Sequence, residues 1–242
     1  MDETRSAIGS DHLLEEARVD ADVFALRPDY RALLIVAEGI EPGPSDAESE
    51  RLLSEAEASA RKALESRPVE ELPHVAAWRE AYRAFGAKPQ RTRNSLEALT
   101  RRAESGLPRV NRLTDIYNAI SVLHQIPLGG EDADRYAGAP RLLRASGDER
   151  FDTVAGGEPV EEHPELGEVV WTDDAGVTCR RWNWRQGRRT QLTNETTSAL
   201  FILDVLAPVD DDALARASEQ LLSHLTRLGP SVHTAQRLIA AD

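Results

Sequence analysis

One cysteine, Cys179, stands in a chain of 242 residues. That scarcity excludes an internal disulfide framework and any cysteine-rich zinc site, and it fits a reducing cytoplasm. Long apolar runs are missing too: ALFILDVLA is far too short to span a bilayer, so no membrane partner is expected. The N-terminal MDETRSAIGSDHLLEE is acidic and lacks the apolar core of a secretory signal. No P-loop, dinucleotide fingerprint, HExxH or GxSxG motif occurs, so no cofactor is expected and no catalytic residue can be named. The six histidines (His12, His74, His124, His163, His224, His233) are scattered, with no two at ligand spacing, and no metal site is expected. At most, His163 among Glu161, Glu162 and Glu165 offers a weak adventitious one.

Positive charge is outnumbered, 29 Lys and Arg against 42 Asp and Glu. The formal net charge is −13, which argues against broad nucleic-acid binding and against DNA as a partner, because neutralising phosphates takes Lys and Arg. The cations that exist are concentrated. Lys88, Arg91, Arg93, Arg101 and Arg102 fall in one window; Arg180, Arg181, Arg185, Arg188 and Arg189 fall in another with no acid between them. Each window reads either as a salt-bridged face or as a local anion site on a repelling surface.

What remains has clear periodicity. Residues 1–15 read as a flexible lead-in and 16–242 as a single domain. VFALRPDYRALLIVAEGI contains two β-type runs closed by Gly39, Pro42 and Gly43. Ser45 to Glu48 is a capping box opening a helix to about Leu64, and a second helix runs from about Glu71 to Phe85. Asn94 starts another, ended by Gly106. In the next helix Leu113, Ile116, Tyr117, Ile120 and Leu123 share one face, while Asn111, Asp115 and Asn118, spaced i, i+4, i+7, form a polar ridge on the other. Asn and Asp are mediocre helix formers, so a ridge of them has a local cause, either a cap or a ligand. After Arg141 the pattern turns to β: PRLLRAS, GEVVWTDDAGVTCRRWNWR and TTSALFILDVLAP, with GDERFDTVAGGEPVEEHPELG read as loop. Strand alternation predicts Arg181, Asn183 and Arg185 on one face and Arg180, Trp182 and Trp184 on the other. Asp210 to Asp212 cap a Leu-rich helix, and SVHTAQRLIAAD follows as a short helical tail. Helices segregated from strands indicate an α+β fold.

Two stretches resemble a known family. LPRVNRLTDIYNAISVLHQIPLGGED and EVVWTDDAGVTCRRWNWRQGRRTQLTNETTSALFILD are similar to the two halves of the B3/B4 domain of the phenylalanyl-tRNA synthetase β subunit, and closer still to freestanding B3/B4 proteins. The resemblance covers roughly Ala76 to Val209. It implies an α+β domain with a mixed or antiparallel β-sandwich core flanked by helices, belonging to an editing module. That module accepts the aminoacyl end of tRNA and hydrolyses mischarged tyrosine. The family's pocket asparagine falls on Asn118 and its pocket proline on Pro127. Its editing histidine falls on Gly129, and its hydroxyl-reading glutamate falls on Gln191, which can hydrogen-bond but brings no negative charge. The expected binding residues are therefore Asn111, Asp115, Asn118, Pro127, Gly129, Arg181, Asn183, Arg185 and Gln191. The expected partner is an aminoacyl-tRNA acceptor end or an amino-acid-like small molecule. Any chemistry would be deacylation of a mischarged aminoacyl-tRNA, since no ligase domain is recognisable; the alternatives are a non-catalytic pocket or, more weakly, a protein-interaction adaptor.

Overall fold

The computed structural model describes residues 10–241. Residues 1–9, most of the expected lead-in, lie outside the described residues. Residues 10–15 form helix α1 (Ser10–Glu15), with Leu13 and Leu14 buried. The short strand β1 (Arg18–Val19) and helix α2 (Ala21–Leu26) follow. VFAL was expected as strand; four apolar residues cannot separate the two periods, and here they complete a helix that buries Val23.

Strand β2 (Arg31–Glu38) is apolar from Ala32 to Ala37 because both its faces are covered. Leu33, Ile35 and Ala37 join one core cluster, and Ala32, Leu34 and Val36 join another. Helix α3 (Ala47–Leu64) is capped one residue later than expected: Asp46 accepts from Ser49 N–H and the Ser49 hydroxyl accepts from Asp46 N–H, a reciprocal box. Helices α4 (Pro73–Ala84), α5 (Ser95–Arg102) and α6 (Arg112–His124) come next, then β3 (Leu128–Asp132) and β4 (Arg141–Arg144). The stretch expected as loop contains a hairpin, β5 (Phe151–Ala155) and β6 (Glu158–Glu162). Gly156 and Gly157, at φ 61° and 89°, make the two-residue turn whose twist suits paired strands. The chain continues through β7 (Val169–Asp173), β8 (Gly176–Arg180), β9 (Arg185–Gln186), β10 (Ser198–Val205), α7 (Asp211–Leu225) and β11 (His233–Ala240). The expected helical tail is thus a strand, paired with β2 over its whole length and adding main-chain bonds a solvated tail would lack.

Two sheets face each other. An antiparallel sheet of order β11-β2-β10-β3 presents one face to α3, α6 and α7 and the other to a mixed sheet of order β1-β4-β7-β8-β9. In the mixed sheet only β1–β4 is parallel. This is an α+β sandwich flanked by helices. His74 ties α4 to the rest: Nδ1–H donates to Gln125 O (2.7 Å), and Nε2 accepts from Leu206 N–H (3.0 Å) and Trp78 Nε1–H (3.1 Å). Burial lowers its pKa to about 4, so it stays neutral and serves structure. No helix among the described residues is long and apolar enough to cross a membrane.

Candidate functional site

A cavity of about 260 Å3 opens where the two sheets part beneath α5 and α6. Leu128, Gly129 and Glu131 of β3 and Ile202 and Asp204 of β10 line its floor. Trp171, Cys179, Trp182 and Trp184 form a largely aromatic wall. Tyr117, Asn118 and Leu99 close it from the helices, with exposed Arg102 at the rim.

The wall depends on a turn that alternation could not foresee. The strand stops at Arg180, and Trp182 adopts φ 63°, a left-handed conformation unusual for a bulky residue. Its N–H donates to Val169 O (2.6 Å), and its ring packs 5.0 Å from Tyr30 and 5.1 Å from Trp78. Asn183 is fixed on both sides: Oδ1 accepts from the Tyr82 hydroxyl (2.9 Å), Nδ2 donates to Asp204 Oδ2 (3.3 Å), and its carbonyl accepts from Ser95 N–H (2.9 Å) at the start of α5.

The arginines of this region are mostly engaged by acids. Arg180 makes a bidentate pair with Glu168 (2.8 and 2.9 Å) and a further bond to Glu162 (3.0 Å). Arg181 points away from the cavity, onto Glu168 (3.0 Å) and the Thr92 hydroxyl (2.6 Å), beside a separate hollow lined by Lys88 and Arg91. Arg185 lines the cavity but bonds Glu162 (2.9 Å), its guanidinium 4.7 Å from the Trp184 ring centroid. Arg188 and Arg189 pair with Asp152 and Asp173, and Arg101 with Glu70 and Glu97. The second basic window is therefore a salt-bridged face, whereas in the first only Arg101 and, at 3.9 Å, Arg93 pair with acids, and Lys88 and Arg91 have no ion-pair partner among the described residues. Among the described residues Arg102 has no ion-pair partner.

The polar ridge of α6 divides into three separate roles. Asn111 caps its own helix, accepting from Thr114 N–H (2.8 Å). Asp115 is fully buried and accepts from Val110 N–H (2.8 Å) and the Ser45 hydroxyl, anchoring two loops. Only Asn118 reaches the cavity, and its amide makes no hydrogen bond among the described residues. Of the other expected residues, Gly129, Asn183 and Arg185 line the cavity. Pro127 is buried outside it, its carbonyl accepting from Asp204 N–H (3.0 Å). Gln191 is exposed and bridges Glu131 only through backbone pairing.

Two acids that sequence reasoning missed lie on the floor. Asp204 accepts from the Tyr30 hydroxyl (2.5 Å) and from Asn183, and burial pushes its carboxyl up to about 7. Glu131 accepts from the Tyr136 hydroxyl through Oε2, while Oε1 is buried without a partner. Burial raises Glu131 to about 7 as well; the Tyr136 and Thr178 hydroxyls and Arg189 act in the opposite direction, and Asp173 adds to the rise. Register places Glu131 opposite Leu200, four residues before Asp204, so the two acids lie about 13 Å apart along β10 and do not share a proton. The signal that would have found them is an acid inside an otherwise apolar strand, as in LFILDV.

The family model for the B3/4 domain matches residues 77–229. A solved structure, an N-terminal fragment of the phenylalanyl-tRNA synthetase β-subunit from Pyrococcus horikoshii, is 12% identical with a TM-score of 0.46. That match covers 90% of this chain and 49% of the fragment, so this chain spans about half its length. No curated protein matches the chain.

Proposed function

This chain belongs to the B3/4 domain family, and from that premise we propose that its cavity binds an aminoacyl group, presented on the acceptor end of a tRNA. The observation that carries the reading is the free Asn118 amide. It is a nearly buried hydrogen-bonding group with no partner among the described residues, facing a largely apolar cavity large enough for one side chain. Asn118 offers both a donor and an acceptor to the ester or amine of the aminoacyl group. Arg102, free at the rim, attracts the terminal phosphate or carboxylate.

Hydrolysis is the weaker half of this reading. Gly129 supplies no base where the family's histidine is expected, Gln191 lies outside the cavity, and no nucleophile–base pair lines it. An activated ester needs only a positioned water and a stabilised oxyanion, so slow deacylation in trans is the reaction to look for. A second reading, a pocket for a free amino acid, is favoured by the charge. With the second basic window paired internally and a net charge of −13, few cations near the cavity remain to hold a polyanion.

Thermal-shift titration with amino acids, non-hydrolysable aminoacyl-adenosine amides and uncharged tRNA separates the two. Stabilisation by the adenosine amides beyond that by the free amino acid supports the tRNA-end reading. Equal response favours the free ligand, and no response to any probe refutes both. Incubation with mischarged tRNAs then tests for deacylation above the buffer rate.

A further inference from the structure

The separate hollow beside the cavity, about 540 Å3, is lined by Lys88, Arg91 and Arg181 with Thr92, Phe85 and Leu166. Lys88 and Arg91 are exposed and unpaired among the described residues. Arg181 adds to them rather than being cancelled. The Glu168 carboxylate it bonds already takes a bidentate pair from Arg180, and Glu162 serves both Arg180 and Arg185. Three guanidinium groups thus share two carboxylates, a surplus of one positive charge. Exposed Glu165 is the other acid lining the hollow, so Lys88, Arg91 and that surplus leave it positive on a chain whose total is −13. Beside the cations stand half-buried Phe85 and Leu166, which is 82% exposed. Cations that hold a backbone, next to apolar groups that meet a ribose or base, are the chemistry of single-stranded nucleic-acid binding.

The hollow adjoins the cavity. Arg181 Nη1 donates to the Thr92 hydroxyl (2.6 Å) at the hollow, and three residues further on the Ser95 N–H donates to Asn183 O (2.9 Å) at the cavity. The Arg181 guanidinium also lies 5.2 Å from the ring centroid of Trp184, which lines the cavity. Arg102 stands at the opposite end of α5, about 10 Å from Ser95 along the helix axis.

We propose that this hollow is a phosphate subsite: Lys88, Arg91 and Arg181 hold the backbone of a single-stranded nucleic-acid end whose terminal aminoacyl group enters the cavity, with Leu166 and Phe85 against a ribose or base. This rests on the reading of the cavity as an aminoacyl pocket and names the side on which the polynucleotide leaves it. Arg181 is oriented by Glu168 and Thr92, and its Nη2 makes no hydrogen bond among the described residues; Lys88 and Arg91, held by no acid, close on the phosphate as it arrives. So few cations suit a short terminus rather than a duplex, and the acidic remainder of the surface repels the rest of a long polyanion.

The test is a calorimetric titration of the full chain at about 50 and about 200 mM KCl. The probes are non-hydrolysable alanyl, leucyl and tyrosyl amides of adenosine, the same amides of the trinucleotide CCA, and uncharged CCA. The trinucleotide amides should bind more tightly than the adenosine amides at low salt. Neutralising both internucleotide phosphates should weaken them about sevenfold between the two salt concentrations, at a slope of about −0.7 per phosphate. Lys88→Ala combined with Arg91→Ala should remove the advantage and flatten the salt dependence; both side chains are exposed, so folding is preserved. Adenosine amides that bind as tightly as the trinucleotides, or an advantage that survives in the double variant, overturn the subsite and leave the aminoacyl cavity in place. Uncharged CCA that binds as tightly as its amides, and is lost in the double variant, supports the subsite and removes the aminoacyl reading. Hexa-aspartate displacing CCA at equal concentration marks a general anion patch and overturns the assignment to nucleic acid. Silence toward every probe overturns both readings.

Discussion

Replacing Glu131 with glutamine tests the electrostatics of the cavity floor without any ligand. The folded protein holds the Glu131 carboxyl at about 7, chiefly by desolvation, against an ordinary 4.5. A folded-state pKa above the unfolded one means that the native state binds the extra proton between those values. The contribution to stability is therefore present in full below pH 4.5 and is lost as pH rises through 7. The gap is worth about 3 kcal/mol, of which about 2.5 kcal/mol falls between pH 5 and pH 8. Asp204, raised to about 7 from 3.8, acts with the same sign. His74 opposes them: lowered to about 4, it contributes fully above pH 6.5 and has lost about 2 kcal/mol by pH 5. Together these three groups contribute about 3 kcal/mol more stability at pH 5 than at pH 8. Glutamine keeps the shape and an acceptor for the Tyr136 hydroxyl but does not titrate. Urea unfolding followed by tryptophan fluorescence at pH 5, 6.5 and 8 gives the comparison. The stability of Glu131→Gln relative to wild type should rise by about 2.5 kcal/mol across that range. Parallel pH profiles for the two proteins would refute a desolvated carboxyl at the cavity floor.

Three further outcomes follow from contacts elsewhere in the site. Asn118→Ala should lose ligand-induced stabilisation while the ligand-free unfolding free energy changes by no more than about 0.5 kcal/mol, since its amide has no partner among the described residues; a large loss of stability with ligand response intact would show the amide to be structural. Gly130→Ala should cost about 1–3 kcal/mol in urea denaturation, because the new methyl would meet Tyr117 Cδ1 at 2.9 Å and Leu192 Cδ1 and Phe201 Cε1 at 3.0 Å. Glu168→Ala should cost about 3 kcal/mol, the low end for breaking a buried pair because Glu162 still reaches Arg180. A Glu168→Ala protein as stable as wild type would mean that Arg180 finds water when its main partner is removed.

The helices were the most legible part of the chain because their signals are local and redundant. Asn94 and Asp210 each accept from the backbone N–H three residues on, as a capping side chain should. What sequence could not supply was the environment on each side of an element. The spacing of Asn111, Asp115 and Asn118 is real, but helix α6 is buried around almost its whole circumference. Spacing alone cannot say that one residue caps, one anchors Ser45 and one meets a cavity. The β5–β6 hairpin is a different kind of miss. Its Gly156-Gly157 turn was present between two alternating runs, yet the density of charge in EPVEE hid it. Strand β11 was hidden because an edge strand with one solvated side carries too little apolar pattern to stand out from a tail.

The RRWNWR segment shows how a local departure from periodicity makes a site. Continued alternation would have placed Trp182 and Trp184 on one side and Asn183 on the other, and no wall would have formed. The left-handed residue at Trp182 breaks the strand and sends one indole into the core beside Tyr30 and Trp78, leaving the other half-exposed along the cavity. A bulky residue at positive φ costs about 1–3 kcal/mol. Packing of the ring, the Val169 carbonyl and the bonds of Asn183 to Tyr82 and Asp204 offset it. Removing the ring while keeping the backbone should therefore relax the turn rather than only empty the space. Trp182→Gly, which relieves the φ penalty, should cost less stability than Trp182→Ala, although glycine removes one atom more and is ordinarily the more destabilising of the two. Equal or greater loss for the glycine variant in urea denaturation would show that the turn is not strained at Trp182 and that the ring alone holds the wall in place.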